Sequence, residues 1–360
     1  MLKYVVAIVL IAAFAGAARA DKEYSFRTNN SFDGAAISGI KINLDIGEIS
    51  IVKSSGSNIE VDYKNSVYAA NETEAGKIND DYKFSAEKSG DKLIIKVDLP
   101  HIRNTKHGII SSIFSGDWSN ESYPIIRVSI PGSKNVEINS SSADIDASEV
   151  NCDLDIRSAS SDVSLENTTG NVDCDLASGD IDITGHRGQV TLQGQSSDLR
   201  LTDIEGNLNA HTSSGDASVD KVKGSVQISS TSGDCRAFNI DGNLDISSTS
   251  GEIVANGISG SVRADAVSGD IRLSELSAIQ GDFDVESVSG DVQMEISRDF
   301  QGEVMMRSVS GDVNSRISEK VTYEDDSEKS SHSEINGTVG QGKGRLNVVS
   351  TSGDITVDRF

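Results

Sequence analysis

A four-residue signature, Ser178-Gly179-Asp180-Ile181, returns through the C-terminal part of this chain at a fixed interval. With its Gly as the register mark, the slot is filled at Ala143, Ser161, Gly179, Ser197, Gly215, Gly233, Gly251 and Gly269, each 18 residues after the last. It recurs 21 residues apart at Gly290 and Gly311, and again at Gly353, two further steps of 21 on, with His332 at the missed beat. A second Gly sits nine residues before each of the later marks, as at Gly188, Gly206, Gly224 and Gly242. A period this short belongs to a solenoid, in which each repeat is one coil and contacts only its neighbours.

Between the two Gly corners apolar and polar residues alternate, as in Val226-Gln227-Ile228-Ser229 and Leu244-Asp245-Ile246-Ser247. That is the period of a half-buried strand. Stacked in register, Val172, Val190, Leu208, Val226, Leu244, Val262, Phe283, Val304 and Leu346 form one internal ladder. A coil cannot bury its own apolar face, so neighbours at the ~4.8 Å strand spacing must cover it, and roughly twelve coils would extend on the order of 50 Å. The expected fold is all-β: a single-stranded parallel β-helix (β-solenoid) of 18- to 21-residue coils with a β-rich N-terminal cap. Coils are expected to stack in chain order, and no helix is required.

Residues 1–20 carry Lys3, an apolar run from Val5 to Phe14, and Ala18-Arg19-Ala20 before Asp21. This reads as a secretory signal peptide with an Ala-x-Ala cleavage site, the run being shorter than the ~20 residues a bilayer core requires. The expected locale is periplasmic, cell-surface or extracellular, with no membrane span. The net charge is −24; loss of Lys3 and Arg19 with the leader leaves 30 basic against 56 acidic residues, a charge of −26. Nucleic acid is a poor partner for such a surface. Cys152, Cys174 and Cys235 are an odd number for an exported chain. Cys174 and Cys235 fall on inward slots more than three coils apart, so three free thiols and no metal are expected.

Residues 21–131 read as a β-rich cap with entry strands and residues 132–360 as the solenoid. Alternation is clear at Ile40 to Leu44, Glu48 to Ile51, Ile59 to Tyr63 and Leu93 to Val97, and a polar run over 65–81 interrupts it. Residues 100–123 lack strand or helix period yet hold Ile109, Ile110, Ile113, Phe114 and Trp118. They are either an apolar loop that reaches a partner or a flap over the first coil. His101 and His107 are a weak metal pair. An acidic, Ser-rich run near 321–333 reads as a mobile loop.

The strand Tyr123 to Ile130 ending in Ile-Pro-Gly, then Val136-Glu137-Ile138 and a string of Ser-x-Ser-Gly-Asp-Ile/Val turns, resembles the bacterial β-solenoid family of unknown function that bears the label putative adhesin. The resemblance covers about residues 40–360, beginning with Leu44-Asp45-Ile46-Gly47-Glu48-Ile49. It implies an exported β-solenoid, adhesin-like and surface-associated, with an edge strand before the repeats and no defined binding residues to carry over.

The acidic column is the sharpest candidate for chemistry: Asp144, Asp162, Asp180, Asp198, Asp216, Asp234, Glu252, Asp270, Asp291, Asp312 and Asp354, one per coil. Stacked ~5 Å apart, these like charges could hold calcium between coils, with Asp180, Asp198, Asp216, Asp234 and Asp270 as weak metal ligands. Alternatively each Asp bonds backbone N–H groups of its own turn. The Ser residues before each mark, from Ser142 to Ser352, carry the inward parity of the preceding strand. No Gly-x-Ser-x-Gly elbow frames them and no His recurs beside them. The expectation is a protein that is not an enzyme and needs no cofactor: a structural or interaction module of the envelope with an unknown envelope, glycan or protein partner. The alternatives are a calcium-binding or self-associating scaffold, and a polysaccharide-active β-helix enzyme, which would need acid and base clusters on irregular loops.

Overall fold

The computed structural model describes residues 7–10, 22–99, 122–317 and 334–360 and divides into two compact units, Met1–Ser164 and Leu165–Phe360. From Val172 to Val313 the chain alternates between two sheets, one strand to each per coil; in the first unit hairpins such as Lys83–Ser89 with Lys92–Asp98 keep consecutive strands in one sheet. The all-β solenoid is as the repeat demands, with parallel in-register pairing such as Val172↔Val190, Val190↔Leu208 and Leu208↔Val226. The nine ladder residues named from the sequence are buried, Val226 and Leu244 at 2% exposure and Phe283 and Leu346 at 0%.

In the second unit the first arm of each coil places residues such as Val190 and Leu192 inside, and the second arm places Leu199, Leu201 and Ile204 inside. The change from a spacing of two to three marks a left-handed kink that the coils from Asn167 to Glu275 share in register. Asn167, Asp203, Lys221, Asn239 and Glu275 occupy one column with φ between 53° and 57°, joined by Gly185 and Gly257 at 70° and 74°. One residue in left-handed geometry is passed over in the pairing, which runs Thr202↔Asp220 and then Ile204↔Val222, so the next side chain returns to the core. Corner glycines answer a different need. At Gly206, φ is 152°, and a Cβ would collide with the carbonyl of Gly188 one coil away.

Chain order and stacking order part company near the C-terminus. Gly344–Ser352 lies between Asp282–Ser289 and Gly302–Ser308, and Ile355–Arg359 lies between Val292–Ile296 and Val313–Ser315. The expected sequence Phe283, Val304, Leu346 is therefore corrected to Phe283, Leu346, Val304. Glu334–Val339 then pairs antiparallel with the far side of Gly302–Ser308. In the first unit, the coil of Gly39–Asn43 and Ile46–Lys53 likewise sits between strands of later sequence, Lys92–Asp98 and Ser122–Ile130 on one side and Lys134–Ser140 and Ser142–Ser148 on the other. Ser122–Ile130 is thus no edge strand: Asn58–Ala69 flanks it on its other side.

The expectation that no helix forms fails at Glu72–Asp81, inside the polar run. Asn71 caps it, its side-chain oxygen accepting the N–H of Glu74 at 3.0 Å, and Ala75 packs with Tyr24, Val67 and Ala69. Of the expected leader, Ala7–Leu10 is described, as a strand antiparallel to Lys22–Asp33. Residues 109, 110, 113, 114 and 118, both His101 and His107, and the acidic run at 321–333 lie outside the described residues.

Candidate functional site

The acidic column forms because each carboxylate follows a corner and faces the equivalent backbone of the next coil. The bonds it makes to the next coil differ from the own-turn bonds set as the alternative to cation binding. Asp180 Oδ1 accepts the N–H of Asp198, Asp198 Oδ1 that of Asp216 at 2.9 Å, Asp216 Oδ1 that of Asp234 at 2.9 Å, and Asp234 Oδ1 that of Glu252 at 2.8 Å. Asp270, Asp291 and Asp354 continue the same bond. In a parallel stack the carboxylate thus ties coil to coil.

A second regularity, invisible at the 18-residue period, governs the charge. Arg200, Arg236 and Arg272 recur every 36 residues, two positions after an acidic rung. Arg200 contacts both Asp180 and Asp198 at 3.4 Å. Arg236 contacts Asp216 at 3.4 Å and Asp234 at 2.6 Å, and Arg272 reaches Glu252 and Asp270. The five metal candidates therefore each carry a guanidinium at one oxygen. Among the described residues no group of three His, Cys, Asp or Glu side chains is placed to hold a metal ion. Counting columns in steps of 36 would have found the arginines.

The Ser row preceding the marks is exposed, correcting its expected inward parity; Ser178, Ser196, Ser214, Ser232 and Ser250 all face solvent. The chain turns two residues earlier than strict alternation allows. The buried hydroxyl column is instead Thr212, Ser230, Ser248, Ser287, Ser308 and Ser350, the last without a hydrogen-bond partner. Thr212 Oγ1 donates to the carbonyl of Ser197 at 3.0 Å, Ser248 Oγ to Gly233 at 3.3 Å, and Ser308 Oγ to Gly353 at 2.8 Å. These bonds satisfy corner carbonyls that the sheets leave free.

His186 replaces an aliphatic residue in the inner column of Ile204 and is 0% exposed. Its Nδ1 lies 2.8 Å from Thr168 Oγ1, its Nε2 has no hydrogen bond, and burial pushes its pKa down. The three cysteines form no disulfide and are buried, and burial pushes the thiols of Cys152 and Cys235 up to about 12. Those two stay in the thiol form at neutral pH.

The outer surface of the second unit carries a groove of about 480 Å³ that crosses six coils from Gln189 to Asp284. The column from Val190 to Val262, whose side chains are buried in the core, also contributes to the lining of the groove. Along its walls stand Gln189, Asn207 and Asn243 on one side and Asn209, Gln227 and Asp245 on the other. Asn207 and Asn243 are fixed because their side-chain oxygens accept the N–H of Ser225 and Ser261, each at 3.0 Å. Sequence reasoning missed this groove, since alternation places its outward residues without showing that the two columns flank a trough.

Parallel strands in register, short coils and inter-coil side-chain ladders define a β-solenoid of the repeat type. The chain belongs to the Toastrack DUF4097 family, whose profile matches residues 37–241 and 189–358. None of the curated proteins compared matches it. Among solved structures it is similar to a putative cell adhesion protein from Clostridium sporogenes, at 9% identity, covering 93% of this chain and 99% of that one, with a TM-score of 0.23. A putative adhesin from Bacteroides fragilis aligns at 10% identity over 93% and 97%, TM-score 0.28. A putative lipid binding protein from Parabacteroides distasonis aligns at 12% over 93% and 96%, TM-score 0.27. Superpositions this loose carry no functional argument.

Proposed function

We propose that this protein is an exported, non-enzymatic, adhesin-like binding module of the cell envelope. The groove from Gln189 to Asp284 carries the reading: it is long, shallow and lined by amides, two of them, Asn207 and Asn243, fixed, a surface suited to lying against an extended partner. The acidic column supports it, because its carboxylates are engaged in holding coils together. Family membership is consistent with a repeat scaffold, and among the described residues no helix is long and apolar enough to cross a membrane.

The test is retention of the mature chain on envelope fractions, compared with Asn209→Ala/Gln227→Ala, two outward wall residues. Loss of retention with unchanged circular dichroism and Tm supports the groove. Deleting residues 109–118 isolates the apolar loop, and retention that survives both changes would remove the binding reading from these two surfaces. The purified chain should show no turnover on glycans, esters or peptides; activity lost on replacing one carboxylate would overturn the non-enzymatic reading.

A further inference from the structure

The C-terminal coil sits in a slot that its neighbours are built to close. Ser287-Val288-Ser289-Gly290-Asp291-Val292 is repeated without change as Ser308-Val309-Ser310-Gly311-Asp312-Val313. Every earlier coil of the second unit stacks on the one before it in the chain, and these two have the residues to do the same. Instead the segment from Gly344 to Arg359 lies between them.

The inserted coil makes, on both sides, the bonds used everywhere else in the stack. Asp354 donates its N–H to Asp291 Oδ1, and Asp312 donates to Asp354 Oδ1, both at 2.9 Å. Gly290 N–H reaches the Ser352 carbonyl at 3.1 Å and Val292 N–H the Asp354 carbonyl at 2.9 Å. One coil earlier, Gly269 and Ile271 bond Ser289 and Asp291 in the same way. Asp312 and Ser310 occupy the positions of Asp354 and Ser352 in their own coil, so these bonds do not depend on which coil fills the place. The inserted strand reaches its position from outside the stack. Glu334–Val339 runs along the far side of Gly302–Ser308, and a turn at Gly340 to Lys343 passes Gln301, whose carbonyl accepts the N–H of Gly344 at 3.2 Å.

We infer that the slot between the Gly290 and Gly311 coils is a docking site for one coil, filled here by the chain's own C-terminal segment, and that the partner it fits in trans is the same segment of a second copy. The exchanged and unexchanged forms make the same contacts, so their balance is set by concentration and by the 318–333 connection, the condition under which domain swapping costs little. The inference is independent of the binding role proposed above.

Ser289 and Ser352 are register partners and both exposed, at the ~4.8 Å separation that a disulfide spans. The buried native thiols need no replacement. The Ser289→Cys and Ser352→Cys chains, unfolded together, refolded together over a hundredfold range of concentration and then oxidised, should give a linked dimer containing one of each. Its yield should rise with concentration and exceed at least tenfold that of either variant alone. The double variant at high dilution should close within one chain. Mixed refolding that stays monomeric throughout, while the double variant closes, overturns exchange; a double variant that folds and fails to close overturns the slot itself. If the variants do not fold, wild-type chain refolded over the same range decides by size exclusion: a dimer that grows with concentration supports exchange, and monomer throughout refutes it.

Discussion

Asp216 allows the column to be tested as a bonding device. Its Oδ1 accepts the N–H of Asp234 at 2.9 Å, and its other oxygen lies 3.4 Å from Arg236. Removing the acceptor in Asp216→Ala forfeits one backbone hydrogen bond, worth about 0.5–1.5 kcal/mol net, and an ion pair that screening limits to about 0.2–1 kcal/mol for a side chain 54% exposed. A loss of about 1–2 kcal/mol follows. Asp216→Asn keeps an oxygen at the same place, and the opposite corner shows that an amide can do the work, since Asn207 and Asn243 hold Ser225 and Ser261 in the same way. The amide also relieves repulsion from Asp198 and Asp234 on the adjoining rungs, so Asp216→Asn should lie within about 0.5 kcal/mol of wild type. Urea midpoints give the energies, and exchange of the Asp234 amide gives the bond, with protection falling roughly tenfold per 1.4 kcal/mol in the Ala variant only. Equal destabilisation by Asn and Ala would show that charge, and not the inter-coil bond, is what the column supplies.

The arginine pairing predicts that millimolar calcium leaves the Tm of the wild type unchanged, while an Arg200→Gln/Arg236→Gln/Arg272→Gln chain, its acidic rungs uncompensated, gains Tm with calcium; a wild-type rise would favour a cation ladder instead. Burial holds the His186 pKa below 6.5, so the unfolded chain takes up the proton first, and the stability contributed by the neutral ring is full above about pH 6.5 and declines as pH falls below it. His186→Val should flatten that decline between pH 7.5 and 5.5 in urea titrations, and an unchanged slope would assign it elsewhere. Lys221, at φ 56°, carries left-handed strain that glycine lacks, so Lys221→Gly should stabilise by up to about 1 kcal/mol and Lys221→Val should destabilise, read as opposite shifts in thermal melts.

What could be read from the sequence follows from what repeats locally. The inward ladder was legible because Val226, Ile228, Leu244 and Ile246 alternate within one strand and recur at a fixed step. The kink was harder, since Leu199, Leu201 and Ile204 break alternation in a way that gains meaning only when Ala217, Val219 and Val222 are set beneath them. Parity also misled at the Ser row: Ser232 has the phase of Val226, but the backbone has turned by then and Ser230 takes the last inner seat. The helix at Glu72–Asp81 left a signal in Asn71 and Glu74, a cap residue with Glu three positions on. Stacking order near the C-terminus was not legible at all, because coils with the same bonding residues do not encode which of them are neighbours.

Inner and outer columns answer to different constraints, and the functional reading depends on that division. Inside, the column from Val172 to Leu346 holds only aliphatic and aromatic residues, since each must fit between two neighbours. The outward column of the same strands runs Thr191, Asn209, Gln227, Asp245, Arg263 and Asp284, neutral polar in the first three coils and alternating in charge in the last three. Neighbour-to-neighbour bonding makes the fold tolerant of that variation, because an outward substitution leaves the backbone pairing and the inner contacts unchanged. A scaffold of this kind can alter what it contacts without altering how it folds. The groove beside that outward column is accordingly where substitutions should change binding while leaving the melting temperature in place.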